Sequence, residues 1–218
     1  MAATNVFLTG GTGYIGRRLI SALIARGHNV DALVRAGSEQ RLPAGATPIV
    51  GNVLARESFT SAVARGSLVV HLVGTPHPSP KKSAEFEAID FVGARECIAA
   101  AKSAGARHFV YVSVAHPAPV MHAYVDVRMR VEALLRESGM PHTVLRPWYV
   151  LGPGHRWAYV LLPMYWLLGA LPATRDGARR FGMVTLGQMI GALTWAVETS
   201  GPASRVIEVP EIRDRAAR

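Results

Sequence analysis

The sequence predicts an α/β protein in which a doubly wound parallel sheet of about seven strands is covered by helices on both faces. Three observations indicate this fold class. Strand-like and helical segments alternate along the chain, most strand-like segments are apolar on both faces, and a glycine-rich turn joins the first strand to the first helix. Runs such as Leu68–Val73 have no polar side, which is typical of parallel strands buried between two helical layers.

Short apolar runs bounded by turn residues mark the predicted strands. They are Asn5–Thr9, Asn29–Val34, Thr47–Val50, Leu68–Val73, His108–Ser113, His142–Arg146 and Arg205–Val209. Apolar residues at helical spacing mark the predicted helices. They are Tyr14–Arg26, Arg56–Arg65, Ala84–Ser103, Ala123–Ser138 and Leu186–Thr199. Gly105 and Gly139 follow two of these helices, at positions where glycine commonly ends a helix.

The turn after the first strand carries three glycines spaced three residues apart, Gly10, Gly13 and Gly16. In a strand–turn–helix context this spacing is typical of a dinucleotide-binding Rossmann turn. The first glycine allows the tight turn, the second lets a pyrophosphate approach the backbone, and the third allows close packing of the helix. The free N–H groups at the start of the helix would face the phosphate. The alternative is a glycine-rich turn without a ligand.

The residue that follows the second predicted strand indicates which nicotinamide cofactor is bound. Sites for NAD place an acid at the end of this strand, whereas an arginine there accommodates the 2′-phosphate of NADP. Asp31 lies near the start of the strand and Arg35 follows its end, so the sequence favours NADP, with NAD as the alternative. The alternative interpretation is that Arg35 is an ordinary surface arginine. Asn52, after the third strand, either contacts an adenine edge or forms a simple turn.

Composition predicts one cytoplasmic domain that spans residues 1–218. The chain has 218 residues, of which 50% are hydrophobic, and its one cysteine, Cys97, lies in an apolar helical run. The N-terminus shows no signal-peptide pattern. The net charge is +9, but the basic residues are scattered, so we expect no nucleic-acid partner.

The apolar stretch 157–172 lies where the alternation of strands and helices breaks down. A bilayer span needs about 20 residues, and Pro163 interrupts this stretch. It is either a helical substrate lid or core helix, or a weak contact with a membrane surface.

Several motifs together resemble the short-chain dehydrogenase/reductase superfamily, specifically its atypical NmrA-like branch, which is related to NAD(P)-dependent epimerases. The motifs are TGGTGYIG at 9–16, Val34-Arg35, GNV at 51–53, VVHLVG at 69–74, YVS at 111–113, Tyr124 with Arg128, and LRPWYVLGPG at 145–154. The resemblance implies a cofactor-binding part at 1–147 and a substrate or lid part at 148–218. The residues it implies for the cofactor are Gly10, Thr12, Gly13, Tyr14, Ile15, Gly16, Arg35, Asn52, Val53, Leu72, Val73, Gly74, Val112, Arg128 and Pro147.

The catalytic residues that the resemblance implies are Tyr124, Arg128 and Ser113, and here the chain departs from the family pattern. Active members carry Tyr-x-x-x-Lys, whereas this chain has an arginine at position 128. Tyrosine needs a nearby cation to act at neutral pH, and an arginine supplies charge but cannot relay a proton. Ser113 is close to the position of the family's catalytic hydroxyl, which our alignment assigns to Val114. Asn52 replaces an aspartate found in many relatives.

Two functions follow from these features. The first is an NADP-dependent oxidoreductase or isomerase for a small apolar carbonyl compound or quinone, with Tyr124 as the acid. The second is a binding protein, either a redox sensor or an assembly factor, that holds NADP(H) without turnover. His116 and His122 are weaker acid/base candidates, and no metal-ligand spacing is evident. Residues Trp148, Tyr149, His155 and Trp157 line a substrate pocket or pack in the core. The sequence does not define the oligomeric state.

Overall fold

The computed structural model describes residues 3–118, 120–153, 177 and 180–215. The strands are β1 Asn5–Thr9, β2 Asn29–Val34, β3 Thr47–Val50, β4 Leu68–His71, β5 His108–Val112, β6 His142–Arg146, β7 Tyr149–Leu151, β8 Met183–Thr185 and β9 Arg205–Glu208. Seven of them form one sheet in the order β3-β2-β1-β4-β5-β6-β9. Every neighbouring pair in this sheet is parallel, so the predicted doubly wound fold is confirmed.

Helices cover both faces of the sheet. They are α1 Tyr14–Ala25, α2 Val92–Ala104, α3 His122–Ser138, α4 Leu186–Glu198 and α5 Val209–Arg215. One buried apolar cluster joins the sheet to α1, α4 and α5, and a second joins the opposite face to α2 and α3. Cys97 lies in the second cluster, where burial raises the pKa of its thiol. Its role is therefore packing.

The predicted helix Arg56–Arg65 is wrong. The structure has two short 3₁₀ turns there, Arg56–Ser58 and Thr60–Ala62. The Ser58 hydroxyl donates to the carbonyl oxygen of Ala55 at 2.6 Å, and the Thr60 hydroxyl donates to that of Arg56 at 2.7 Å. Hydroxyl groups that bond nearby backbone in this way compete with a regular helix.

The segment predicted as one helix at Ala84–Ser103 is helical but irregular at its start. An α-helical turn, Ser83–Glu85, leads into a π-helix, Phe86–Phe91, which continues into α2. Phe86 and Asp90 are buried on the inner side of the π-helix. Such turns frequently occur at functional sites.

The C-terminal third contains elements that the sequence did not reveal. Strands β7 and β8 pair in parallel as a separate two-stranded sheet, and α5 begins at Val209, where the seventh predicted strand was expected to end. Three-residue strands are too short to show a periodic pattern. Residues 157–172, predicted as a lid or a membrane contact, lie outside the described residues. Within the described chain, no helix combines the length and apolar character that crossing a membrane requires.

A buried histidine makes stability depend on pH. His71 is fully buried, and burial together with the charge of Arg128 lowers its pKa from 6.5 to about 3. The folded chain therefore binds fewer protons than the unfolded chain between these values. We expect the free energy of unfolding contributed by this group to be complete above pH 6.5 and to be lost as the pH falls toward 3. The slope is about 1.4 kcal/mol per pH unit.

Urea unfolding at several pH values should therefore show that the free energy of unfolding falls less steeply toward acidic pH in His71→Asn than in the original chain. The asparagine side chain still offers a hydrogen-bond partner to Thr9. In the original chain, His71 Nδ1 and the Thr9 hydroxyl lie 2.9 Å apart. His108, whose pKa burial lowers to about 4, is common to both proteins, so the difference isolates His71. Equal slopes would show that His71 titrates normally in the folded chain.

Candidate functional site

A cleft of about 930 Å³ opens at the carboxyl ends of the strands, where the order reverses between β1 and β4. Ligands of doubly wound sheets bind at such a switch point. Nine of the residues predicted to bind the cofactor line this cleft. They are Gly10, Thr12, Gly13, Arg35, Asn52, Val53, Leu72, Val73 and Gly74. The geometry thus gathers the glycine turn and the ends of β2, β3 and β4 around one space.

The glycine turn is built as the spacing predicted. Gly10 has a φ of +80°, and a β-carbon there would lie 2.8 Å from the carbonyl carbon of Leu72. A β-carbon on Gly16 would overlap the carbonyl oxygen of Gly10. Gly13 is exposed, lines the cleft and begins α1 without a side-chain cap, so the start of this helix meets the cleft with no capping side chain between them.

Residues in the first turn of α1 point away from the cleft. The Ile15 side chain packs against the core cluster. The guanidinium carbon of Arg18 lies over the Tyr14 ring, 4.8 Å from the ring centroid. The Tyr14 hydroxyl closely approaches Gly152, leaving no room for a β-carbon there. Tyr14, Ile15 and Gly16 therefore support the turn and do not line the cleft.

The position of the end of β2 decides which of two charged residues, Asp31 or Arg35, faces the cleft. Arg35 follows β2 directly and lines the cleft, together with Ser38. Asp31 lies three residues before the strand end, where it pairs with Phe7 and Thr47 in the sheet, and it is not among the lining residues. The only charged side chain among the described lining residues is that of Arg35. An anionic phosphate would therefore meet a cation there.

Asn52 forms a turn and also lines the cleft. Its Oδ1 accepts a hydrogen bond from the backbone N–H of Leu54 at 3.1 Å, and its own N–H donates to the Ser58 hydroxyl at 2.9 Å. These bonds fix the side chain beside the cleft.

The Tyr124 and Arg128 side chains meet on the inner face of α3. The guanidinium carbon of Arg128 lies 4.9 Å from the centroid of the Tyr124 ring, whose edge contacts Phe86 at a centroid distance of 5.1 Å. The two residues therefore share a face, as their spacing predicted. Tyr124 is half-buried, while Arg128 is buried.

Arg128 is held by a buried carboxylate that sequence reasoning missed. Its Nη2 forms an ion pair with Asp90 Oδ1 at 2.5 Å, and its Nη1 donates to the Tyr111 hydroxyl and the Val112 carbonyl, both at 3.1 Å. Asp90 also accepts from the backbone N–H and the hydroxyl of Thr75. The carboxylate thus joins the π-helix, α3 and the loop after β4.

Three acidic residues, Glu85, Glu87 and Asp90, lie at the start of the predicted helix Ala84–Ser103, a pattern that favours a solvated helix start, and for Asp90 this interpretation is wrong. Asp90 is 1% exposed, whereas Glu85 and Glu87 are exposed. The signal that could have found it is its position four residues after Phe86, which places both side chains on one helical face.

Arg128 lies next to Gly74, which lines the cleft. A β-carbon on Gly74 would lie 2.6 Å from Arg128 Nη2. The Nε group of Arg128 is buried and has no hydrogen-bond partner among the described residues. A buried N–H donor without an acceptor is costly. The tight glycine turn at Gly10 and Gly16 and the cation of Arg35 fit a dinucleotide such as NADP(H).

The hydroxyl groups of Tyr111 and Ser113 are unsuited to donate a proton to a substrate. Burial raises the pKa of Tyr111 to about 12, although the charge of Arg128 opposes this. Ser113 is buried, and its hydroxyl donates to Glu132 Oε1 at 2.6 Å. Neither residue lines the cleft, and the same holds for Val112, Arg128 and Pro147. Tyr124 does not line the cleft either, but it is half-buried, whereas Tyr111 is fully buried.

Among the residues that the structure describes, no three histidine, cysteine, aspartate or glutamate side chains are grouped to hold a metal ion.

Comparison with known proteins identifies the class. Residues 10–160 match the model of an NAD(P)H-binding family. NAD⁺-bound WbmH from Bordetella bronchiseptica has the same fold, with a TM-score of 0.70 and 20% identity, over 98% of this chain and 80% of that one. The chain belongs to this NAD(P)H-binding family.

Its curated relatives have different functions. A 3-diazoavenalumate denitrifying reductase from Streptomyces is 34% identical over 89% of this chain and 72% of the relative. A 4-hydroxy-2-methyl-3-oxo-4-farnesyl-3,4-dihydroquinoline-1-oxide ketoreductase from Stigmatella aurantiaca is 32% identical over 68% of this chain and 51% of the relative. The photosystem II assembly factor Ycf39 from Synechocystis is 27% identical over 65% of this chain and 44% of the relative.

Proposed function

We propose that this chain is an NADP(H)-dependent oxidoreductase or isomerase that acts on a small apolar carbonyl compound or quinone. The observation that carries the cofactor preference is Arg35, the only charged side chain among the described residues that line the cleft. A guanidinium pairs well with a phosphate, and a carboxylate that would repel the 2′-phosphate is missing from this described lining.

Each part of the cleft has a role in this proposal. The start of α1 at Gly13 holds the pyrophosphate, Arg35 binds the 2′-phosphate, and Arg128 Nε donates to a hydroxyl of the nicotinamide ribose. Bound NADPH would supply a hydride. The Tyr124 phenol donates a proton to the substrate oxygen, and the adjacent Arg128 guanidinium stabilises the phenolate that forms.

The substrate class is supported by two relatives named as a reductase and a ketoreductase. Residues 148–218, which follow β6, would form the substrate part. Trp148 and Phe181, whose ring centroids lie 5.1 Å apart, are apolar residues of its described portion.

Replacing Arg35 with alanine should weaken NADPH binding about tenfold or more and leave NADH binding nearly unchanged, because a charge-assisted phosphate contact contributes about 1.5–3 kcal/mol. Calorimetric titration of both cofactors measures this. Arg41→Ala removes a nearby exposed arginine of the same charge and is the matched control. An equal loss for both cofactors, or tighter binding of NADH by the original chain, would refute the NADP preference.

The second candidate is an NADP(H)-binding protein without turnover, such as a redox sensor or assembly factor. The ion pair with Asp90 is the observation that favours it, because a guanidinium already neutralised by a buried carboxylate stabilises a phenolate less. One relative is named as an assembly factor. Incubation with NADPH and a panel of aldehydes and quinones separates the two candidates: oxidation of NADPH supports the enzyme, and binding without oxidation supports the sensor.

A further inference from the structure

Tyr124 lies in a helix start that lacks local stabilisation. It belongs to the first turn of α3, which begins at His122. The residue before the helix, Met121, has a φ of 58°, a left-handed conformation that is uncommon outside glycine, and its side chain makes no capping hydrogen bond. The first N–H groups of a helix have no partners within the helix, so an uncapped first turn is less stable. The placement of the Tyr124 ring therefore depends on its neighbours in the fold.

Two side chains hold the Tyr124 ring. Its centroid lies 5.1 Å from that of the Phe86 ring at an interplanar angle of 62°, which is an edge-to-face contact. The guanidinium carbon of Arg128 lies 4.9 Å from the same Tyr124 centroid. Phe86 is 0% exposed, whereas Tyr124 is half-buried. Phe86 is therefore a packed support for a ring that reaches solvent.

The π-helix Phe86–Phe91 supports both members of the pair on α3. Phe86 and Asp90 are both buried on its inner side. Phe86 contacts the Tyr124 ring, and Asp90 forms the ion pair with Arg128. One short element therefore sets the positions of the phenol and of the guanidinium together.

The same π-helix also reaches the cleft. Ile89 is among the residues that line it. Asp90 accepts hydrogen bonds from Thr75, which directly follows the cleft residue Gly74. A β-carbon on Gly74 would lie 3.2 Å from Asp90 Oδ1. The element that supports Tyr124 is thus continuous with the wall of the cleft.

From this geometry we propose that Phe86 is a positioning residue, which fixes the Tyr124 phenol for proton transfer to the substrate oxygen. The inference rests on the proposed oxidoreductase function and adds to it a residue that acts only through Tyr124. A proton donor must be held within hydrogen-bond reach of its acceptor, and a displacement of about 1 Å can reduce a rate about 10²-fold. The Phe86 ring limits the positions that the phenol can adopt.

The test compares Phe86→Leu with Phe109→Leu. Both replace a phenylalanine that is 0% exposed, but Phe109 lies in β5, where its ring stacks on that of His71. NADPH with benzaldehyde or menadione is the probe reaction. We expect Phe86→Leu to lower kcat about 10-fold to 10²-fold, with NADPH affinity unchanged in calorimetric titration. Phe109→Leu should lose a similar amount of stability in urea unfolding and keep the original kcat. Phe86→Met, which lacks the ring but nearly conserves the volume, takes the place of Phe86→Leu if the latter does not fold, with the same expectation.

A double variant shows whether Phe86 acts through the phenol. If it does, adding Phe86→Leu to Tyr124→Phe should cause no further loss of the residual rate, whereas a general structural role would lower both rates by the same factor. Equal factors, an unchanged kcat in Phe86→Leu, or an equal loss of kcat in Phe109→Leu overturns the role of Phe86 alone. NADPH binding with no reduction of either probe by the original chain overturns the oxidoreductase function as well.

Discussion

Replacing Asp90 with alanine is expected to lower the free energy of unfolding by about 3–5 kcal/mol, because the buried Arg128 would lose the carboxylate that compensates its charge. Urea unfolding measures this change. Asp126→Ala is the matched control: its ion pair with Arg130, at 3.7 Å, lies at the surface, where such pairs contribute at most about 0.5 kcal/mol.

A double variant tests the cause of this loss. Asp90→Ala combined with Arg128→Met removes the stranded charge, so it should be more stable than Asp90→Ala alone. A double variant that is less stable than the single one would contradict the view that Asp90 compensates Arg128. It would indicate that the bonds of Asp90 to Thr75, at 2.6 and 2.9 Å, dominate instead.

Replacing Tyr124 with phenylalanine is expected to reduce turnover by about 10²–10⁴-fold while NADPH affinity is retained, because only the proton donor is lost. Steady-state rates with NADPH and calorimetric titration measure the two effects. The hydroxyl does not contribute to the packing against Phe86 or Arg128, both of which involve the ring. The fold should therefore be preserved.

Tyr111→Phe is the control for this second prediction. It removes another hydroxyl close to Arg128, but one that is fully buried and whose pKa is raised to about 12. Stability should fall by about 1 kcal/mol while turnover persists. If both variants keep their full rate, Tyr124 has no part in the chemistry; if only Tyr111→Phe is inactive, the proton donor is misassigned.

The strands of the main sheet and the glycine turn were predictable because their signals are local. Four of the seven predicted strands have the bounds found in the structure, and β4, β5 and β9 end slightly earlier than predicted. An apolar run or a glycine spacing involves only residues that are close together in the sequence. The position of Arg35 at the cleft also follows from the end of one strand.

The contacts that organise the catalytic side of the site were not predictable in this way. Asp90 meets Arg128 across 38 positions of sequence, and Ser113 meets Glu132 across 19. No local pattern encodes which distant partner a buried carboxylate finds. The π-helix that turns Asp90 inward likewise departs from the 3.6-residue period on which helical patterns rest.

The close approach of Tyr14 to Gly152 has a consequence for anyone who redesigns this protein. The hydroxyl of Tyr14, the first residue of α1, fills the space that a side chain at position 152, directly after β7, would need. The two positions therefore cannot be varied independently. A library that diversifies the region after β6 to change the substrate would lose most members at position 152 unless position 14 is reduced in size at the same time. A smaller residue in place of Tyr14 would open that position and extend the sequence space accessible to directed evolution.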